Sequence, residues 1–209
     1  MNPKVKICGI TNISDALAAV EAGADALGFM FYEPSPRYIS PEVAGAVIRE
    51  LPPLIACVGV FVNATAEEVK RTQVTAGIDT FQFHGDESPE FCEGFGSRTI
   101  KAFRVRDESC LTEMSRFEVG AWLLDAFVPG KLGGTGATFN WNLATKAKAS
   151  GRPMILAGGL TVDNVARAVL EVSPYGLDVS SGVERAPGKK DSQKMREFVS
   201  RVRGNGQAT

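Results

Sequence analysis

The segment KVKICGIT, residues 4–11, puts a thiol where a short β-branched run stops and a glycine follows. Such a cysteine can be a small buried hydrophobe, half of a disulfide, a metal ligand or a catalytic base. The chain carries four cysteines, at 8, 57, 92 and 110, with no CxxC pair, and its one histidine is His84. A zinc site of the usual Cys/His spacing has no ligand set here, and no metal is expected. The opening MNPKVKICGI enters a strand-like run directly, without the apolar core of a secretion signal. A cytoplasmic setting, with thiols kept reduced, is the expectation. For Cys8 that leaves core filling or catalysis.

Further polar groups close other apolar runs. Gln82 and His84 end TFQFH, Asp125 ends AWLLDA, and Asp178 lies in GLDVSS. Arg37 sits in the proline-stiffened stretch EPSPRYIS. AGGL (157–160) and SSG (180–182) put free backbone N–H groups next to helix starts, an arrangement that attracts anions. Taken alone, each could be no more than a tight turn. Two phosphate-loop lookalikes fail on spacing. GVERAPGKKD (182–191) has one residue too many between its glycines and no Ser or Thr after its first lysine, and GKLGGTG (130–136) lacks the G-x-G-x-x-G register.

These groups need elements to hold them. Apolar runs suited to strands buried on both faces recur at 4–8, 24–31, 54–62, 80–84, 99–105, 121–126, 153–158 and 176–181. Between them lie helical spacings: Ile13, Ala16, Leu17, Val20; Ala44, Val47, Ile48, Leu51; Val162, Val165, Ala166, Val169; and Met195, Phe198, Val199, Val202. Segments 65–76, 88–95, 108–117 and 140–149 complete the series, the last opening on Asn140 as a helix cap. Gly23 fits a helix C-terminus. Eight strand–helix units imply parallel pairing and favour a closed (β/α)8 TIM barrel of the α/β class over an open sheet. One barrel domain over 1–203 is expected, with a frayed tail at 204–209.

In such a barrel chemistry sits where the strands end. Alternation then puts Lys4, Lys6 and Cys8 on one face, Gln82 and His84 on one face, and Leu123 and Asp125 on one face. Lys4 reads equally well as a lysine stem snorkelling from a fraying strand start. The loops after strands seven and eight, the common phosphate position of this fold, are AGGL and SSG.

With 44% hydrophobic and 22% charged residues in 209, the chain is long enough for a full core. The net charge of -1 offers nucleic acid and anionic membranes little to bind. No run approaches the roughly 18 apolar residues of a membrane span.

KICGIT, GADALGFMFYEPSPRYIS, FQFHGDE, LLDAFVPGKLGGTGATFNW, ILAGGL with NV following, and GLDVSSGVERAPGKKD occur in order from end to end. In that combination the chain resembles the phosphoribosylanthranilate isomerase family of tryptophan biosynthesis. The resemblance implies a barrel without cofactor. It also implies an Amadori rearrangement of N-(5-phosphoribosyl)anthranilate to 1-(2-carboxyphenylamino)-1-deoxyribulose 5-phosphate. By the same resemblance Cys8 is the general base, Asp125 the general acid, and Arg37 faces the anthranilate group. Gly158, Gly159, Ser180, Ser181 and Gly182 match the phosphate loops. Gln82, His84 and Asp178 are expected to touch substrate. One departure is FNW where the family often has FDW; Asn140 caps a helix as Asp would.

Both catalytic groups would need tuning. A cation such as Lys6 on the same face should raise the thiolate fraction of Cys8. An acid must hold its proton near neutral pH, and burial of Asp125 beside Leu123 and Phe127 would favour that. Cys57, Cys92 and Cys110 read as structural. Two other functions fit a phosphosugar barrel: an isomerase of the histidine-pathway type, which resembles a two-aspartate arrangement, and a non-catalytic phosphate binder. The expected partner is a small phosphosugar, and the expected state a monomer.

Overall fold

On the first strand Val5 and Ile7 alternate with Lys6 and Cys8, and parity decides which side each faces. The computed structural model describes residues 2–105, 107–126 and 141–204. Eight parallel strands close on themselves in chain order: β1 Lys4–Cys8, β2 Ala26–Met30, β3 Ala56–Phe61, β4 Thr80–Phe83, β5 Thr99–Val105, β6 Ala121–Ala126, β7 Met154–Leu156 and β8 Gly176–Val179. The helices between and after them are α1 Ile13–Glu21, α2 Pro41–Ile48, α3 Ala66–Ala76, α4 Pro89–Glu93, α5 Ser109–Met114, α6 Trp141–Lys148, α7 Val162–Val172 and α8 Ser192–Val202. The expected (β/α)8 barrel is the architecture found. It closes where β1 pairs β8, with Lys4 opposite Gly176 and Lys6 opposite Asp178.

The odd residues of β1 and β4, Val5, Ile7, Phe81 and Phe83, point out and pack against the helices. A separate interior cluster of Val58, Ile100, Ala102, Ala121, Leu123, Ile155 and Ala157 fills the barrel. Each of its Val, Ile and Leu side chains contributes about 1.5–3 kcal/mol when fully buried. Where the strands end the interior becomes polar, with Cys8, Gln82, Asp125 and Asp178 on its wall.

Local chemistry fixes the helix starts. Asn12, Ser40 and Ser88 accept hydrogen bonds from the first turns of α1, α2 and α4, and Thr65 forms a reciprocal capping box with Glu68. Gly23, at φ 94°, follows α1 as expected. Helix α2 ends at Ile48, before the predicted Leu51, because Pro52 and Pro53 follow. Strands 24–31, 54–62 and 153–158 are each shorter than their apolar runs. Ser180 and Ser181 leave β8 for a short 3-10 turn, Ser181–Val183. An unexpected hairpin follows, β9 Glu184–Ala186 with β10 Lys189–Lys190. Asn140, Phe127, the loop 127–140 and residues 205–209 lie outside the described residues. Among the described residues no helix is long and apolar enough to cross a membrane.

Asp25, just before β2, ties the two ends of the chain. It accepts from Lys4 Nζ at 2.9 Å, Val5 N–H at 2.8 Å and Arg203 Nη2 at 2.7 Å. Lys4 is thus an exposed, ion-paired lysine at the strand start. Burial alone would raise the Asp25 carboxyl, but the Val5, Lys4 and Arg203 hydrogen bonds outweigh it and hold the group below its usual range. Its stabilisation is therefore full above the unfolded carboxyl pKa of about 3.9 and fades as pH falls through the lower folded value. Asp25→Asn should lose about 1–2 kcal/mol in urea unfolding at neutral pH, discounted for partial exposure. The difference from the parent should vanish in strong acid; a gap that persists there would refute the account.

Candidate active site

Cys8 ends β1, Gln82 lies on β4 with His84 just past its end, Asp125 lies near the end of β6, and Asp178 on β8. All five border one cavity of about 200 Å³ at the C-terminal mouth of the barrel, with Arg37, Gly158, Gly159, Ser180 and Ser181. Of the residues expected from the sequence, only Gly182 is off that wall. It packs behind: a Cβ there would stand 1.9 Å from the Leu160 carbonyl oxygen, so it lets the loops after β7 and β8 touch. A larger cavity, about 430 Å³, opens where the strands start, and its wall holds neither Cys8 nor Asp125.

Cys8 is 6% exposed. Its strand neighbour is Gly28 of β2, where a Cβ would stand 2.7 Å from the Cys8 sulfur and 3.0 Å from Lys6 Nζ. Gly28 therefore makes room for both groups. Lys6 does not act as a free cation. Its ammonium donates to Asp178 Oδ1 at 2.8 Å inside the barrel, and both side chains are nearly buried. Burial pushes the Cys8 thiol up, Lys6 and Lys190 pull it down, and Asp178 opposes them. The net direction is upward, against the expectation that Lys6 would raise the thiolate fraction. The physical reason is that Asp178 neutralises Lys6 while the thiol loses its water.

His84 bridges two of the expected residues. Its Nε2 is 3.3 Å from Asp125 Oδ2, and its Nδ1 is 3.3 Å from Gln82 Nε2. Gln82 is 1% exposed, and its Oε1 has no partner among the described residues. Turned over, the amide would present Oε1 to a His84 Nδ1–H, leaving the ring Nε2 of His84 as an acceptor that faces Asp125. Asp125 itself is 32% exposed. The burial expected around it is only partial, because it stands at the open mouth while Leu123, one layer deeper, is fully buried.

The loops after β7 and β8 lie side by side. Gly158 and Gly159 have φ of 80° and 65°, a left-handed backbone that favours glycine. Asn164 of α7 donates to the Gly159 carbonyl at 2.9 Å and accepts from Thr161 N–H at 2.9 Å, fixing this loop at the start of α7. Arg37 arrives from the loop after β2. Gly9, at φ 80°, lets it pass: a Cβ there would stand 2.5 Å from Arg37 Cδ. The arrangement sets a thiol and a carboxyl on different strands of one small polar cavity, beside backbone N–H groups fit for an anion.

Sequence reasoning missed the charged groups behind this wall. Lys101 of β5 and Glu87 pair at 2.7 Å, both nearly buried, and Lys101 also donates to the Gly85 carbonyl at 2.6 Å. They brace the loop that follows His84. Glu184 and Lys190 pair at 2.8 Å behind Cys8 and Arg37. Their stretch, GVERAPGKKD, stands out in the sequence only as a failed phosphate loop and as part of the family resemblance, neither of which points to a buried ion pair.

The family model for N-(5'phosphoribosyl)anthranilate (PRA) isomerase matches residues 5–201. N-(5'-phosphoribosyl)anthranilate isomerase of Pelobacter propionicus is 58% identical over 94% of this chain and 93% of its own. A crystal structure of phosphoribosyl anthranilate isomerase from Thermotoga maritima superposes with a TM-score of 0.88 at 43% identity, covering 97% and 99% of the two chains. Mutually generated monomers of the dimeric Thermotoga maritima protein give 0.86 at 40% identity, covering 97% and 99%. A further structure holds that enzyme type in complex with reduced 1-(o-carboxyphenylamino)-1-deoxyribulose 5-phosphate, with a TM-score of 0.84 at 40% identity and the same coverage.

Proposed function

The chain belongs to the N-(5'-phosphoribosyl)anthranilate isomerase family, enzymes of tryptophan biosynthesis, and on that premise we propose that Cys8 and Asp125 carry its Amadori rearrangement as base and acid. Asp125 gives its proton to the furanose ring oxygen; the C1′–O bond breaks and the nitrogen lone pair forms an iminium. The Cys8 thiolate then takes the proton on C2′, leaving an enolamine that tautomerises to the 2′-ketone. This is acid–base chemistry from two sides of one sugar.

The observation that carries the reading is that Cys8 and Asp125 border the same cavity from β1 and β6, with the Gly158–Gly159 and Ser180–Ser181 loops on its wall between them. A phosphate seated on those backbone N–H groups leaves the ribose between the two side chains. Gly182 serves by letting the loops meet. Arg37 faces the anthranilate carboxylate, and Asp178, held by Lys6, faces the sugar. His84 and Gln82 orient Asp125 as well as touching substrate. The four cysteines are free, which suits a cytoplasmic setting.

The test is to generate phosphoribosylanthranilate in place and follow loss of its fluorescence with the purified protein. Turnover is expected. We propose a monomer as the working unit, so specific activity should hold on dilution. No turnover would overturn the assignment and direct the search to histidine-pathway aminoaldose phosphates.

A further inference from the structure

The hairpin β9–β10 places two buried charges directly behind the mouth. Glu184 receives Arg37 as a fork, Nε to Oε1 at 2.8 Å and Nη2 to Oε2 at 2.7 Å. Among the described residues Arg37 Nη1 takes no partner, so the fork commits two nitrogens and leaves the third. The same Oε1 accepts from Lys190 Nζ at 2.8 Å and from Gly188 N–H at 3.3 Å. Lys190, whose side chain is fully buried, also donates to the Cys8 carbonyl at 2.5 Å and the Ser180 carbonyl at 3.3 Å. One carboxylate thus joins the loop after β2, the end of β1 and the loop after β8. Glu184 is not on the cavity wall.

The geometry points to Glu184 as a positioning residue that aims Arg37 at the substrate, with Lys190 as its second arm, fixing the backbone of Cys8 and Ser180. This rests on the isomerase reading, which gives Arg37 a substrate to face. A planar fork holds the guanidinium in one orientation, which a single contact would not do. Two cations around one anion leave the Arg37–Glu184–Lys190 cluster with one positive charge, and of the three only Arg37 reaches the cavity wall, where it suits an anionic group of the substrate. In the wrong orientation Arg37 would still be charged but would bind substrate less well, so the loss should fall on KM.

The experiment is a mutant cycle with the fluorescence assay, with melting temperatures recorded alongside. Glu184→Gln keeps shape but loses the charged fork. It should lower kcat/KM about tenfold to a hundredfold, mainly through KM. In an Arg37→Ala background the same change should no longer raise KM by more than about twofold, because that route is gone, and any remaining loss should fall on kcat through Lys190. An equal rise of KM in both backgrounds, or no loss in the parent, would overturn the inference. Should Glu184→Gln fail to fold, Lys190→Met leaves the Arg37 fork intact and reads the other arm. It should lower kcat about tenfold with KM nearly held, and an unchanged kcat would overturn it. A parent protein without turnover would instead refute the underlying reading, so the two failures are distinct.

Discussion

Asp125→Asn is expected to lower kcat by about 10²–10⁴, with KM for phosphoribosylanthranilate within a few-fold of the parent. Asparagine keeps the shape of the side chain and can still meet His84, whose Nε2 stands 3.3 Å from the carboxylate. It has no acidic proton to give the ring oxygen. Ring opening would then rely on water or on His84 across a longer reach. The partial exposure of Asp125 means the substitution leaves no buried charge behind, so the fold should be unaffected and the effect should be chemical. Steady-state kinetics with in situ substrate decides it. A kcat within about threefold of the parent would remove Asp125 as the acid and make His84 the next group to replace.

How far the sequence already disclosed this site depends on the face of each residue. Strands buried on both sides announce themselves as apolar runs, and a polar residue ending such a run is conspicuous. That is how Cys8, Gln82, Asp125 and Asp178 were found, and the cavity does collect them. What stayed hidden is pairing at long range. Lys6 meets Asp178 across 172 residues, and only barrel closure puts them in register. Without that partner Lys6 looked like a free cation beside the thiol. Glu184, Lys190, Glu87 and Lys101 were hidden by their residue type, since charged side chains are rarely buried unless paired. The hairpin carrying Glu184 and Lys190 has strands too short and polar to register as elements. Strand ends were overrun for the opposite reason: apolar residues continue into loops that pack on the core.

The second large effect concerns Cys8. Cys8→Ala should cut kcat by about 10²–10⁴ and Cys8→Ser by nearly as much, because neither offers a thiolate to take the proton from C2′. A core-filling cysteine would behave differently, since alanine or serine there would alter stability and leave the rate alone. The pH profile separates the cases further. Burial pushes the Cys8 thiol upward, and Lys6 and Lys190 only partly oppose it. The thiolate is thus the minor form at neutral pH, while a thiolate of higher pKa is the stronger base once formed. The sign follows for the base alone: Asp125→Asn removes the titrating acid, and in that variant the residual kcat/KM should rise with pH, about tenfold per unit while the thiolate is scarce, and continue past the ordinary thiol value of about 8.5. A profile that flattens well below that value would mean that another group, or a Cys8 tuned downward in the substrate complex, sets the rate. A flat, lower profile when Cys8→Ala is added to Asp125→Asn, beside a rising one in Asp125→Asn alone, would identify the thiol at the end of β1 as the group whose ionisation the reaction requires.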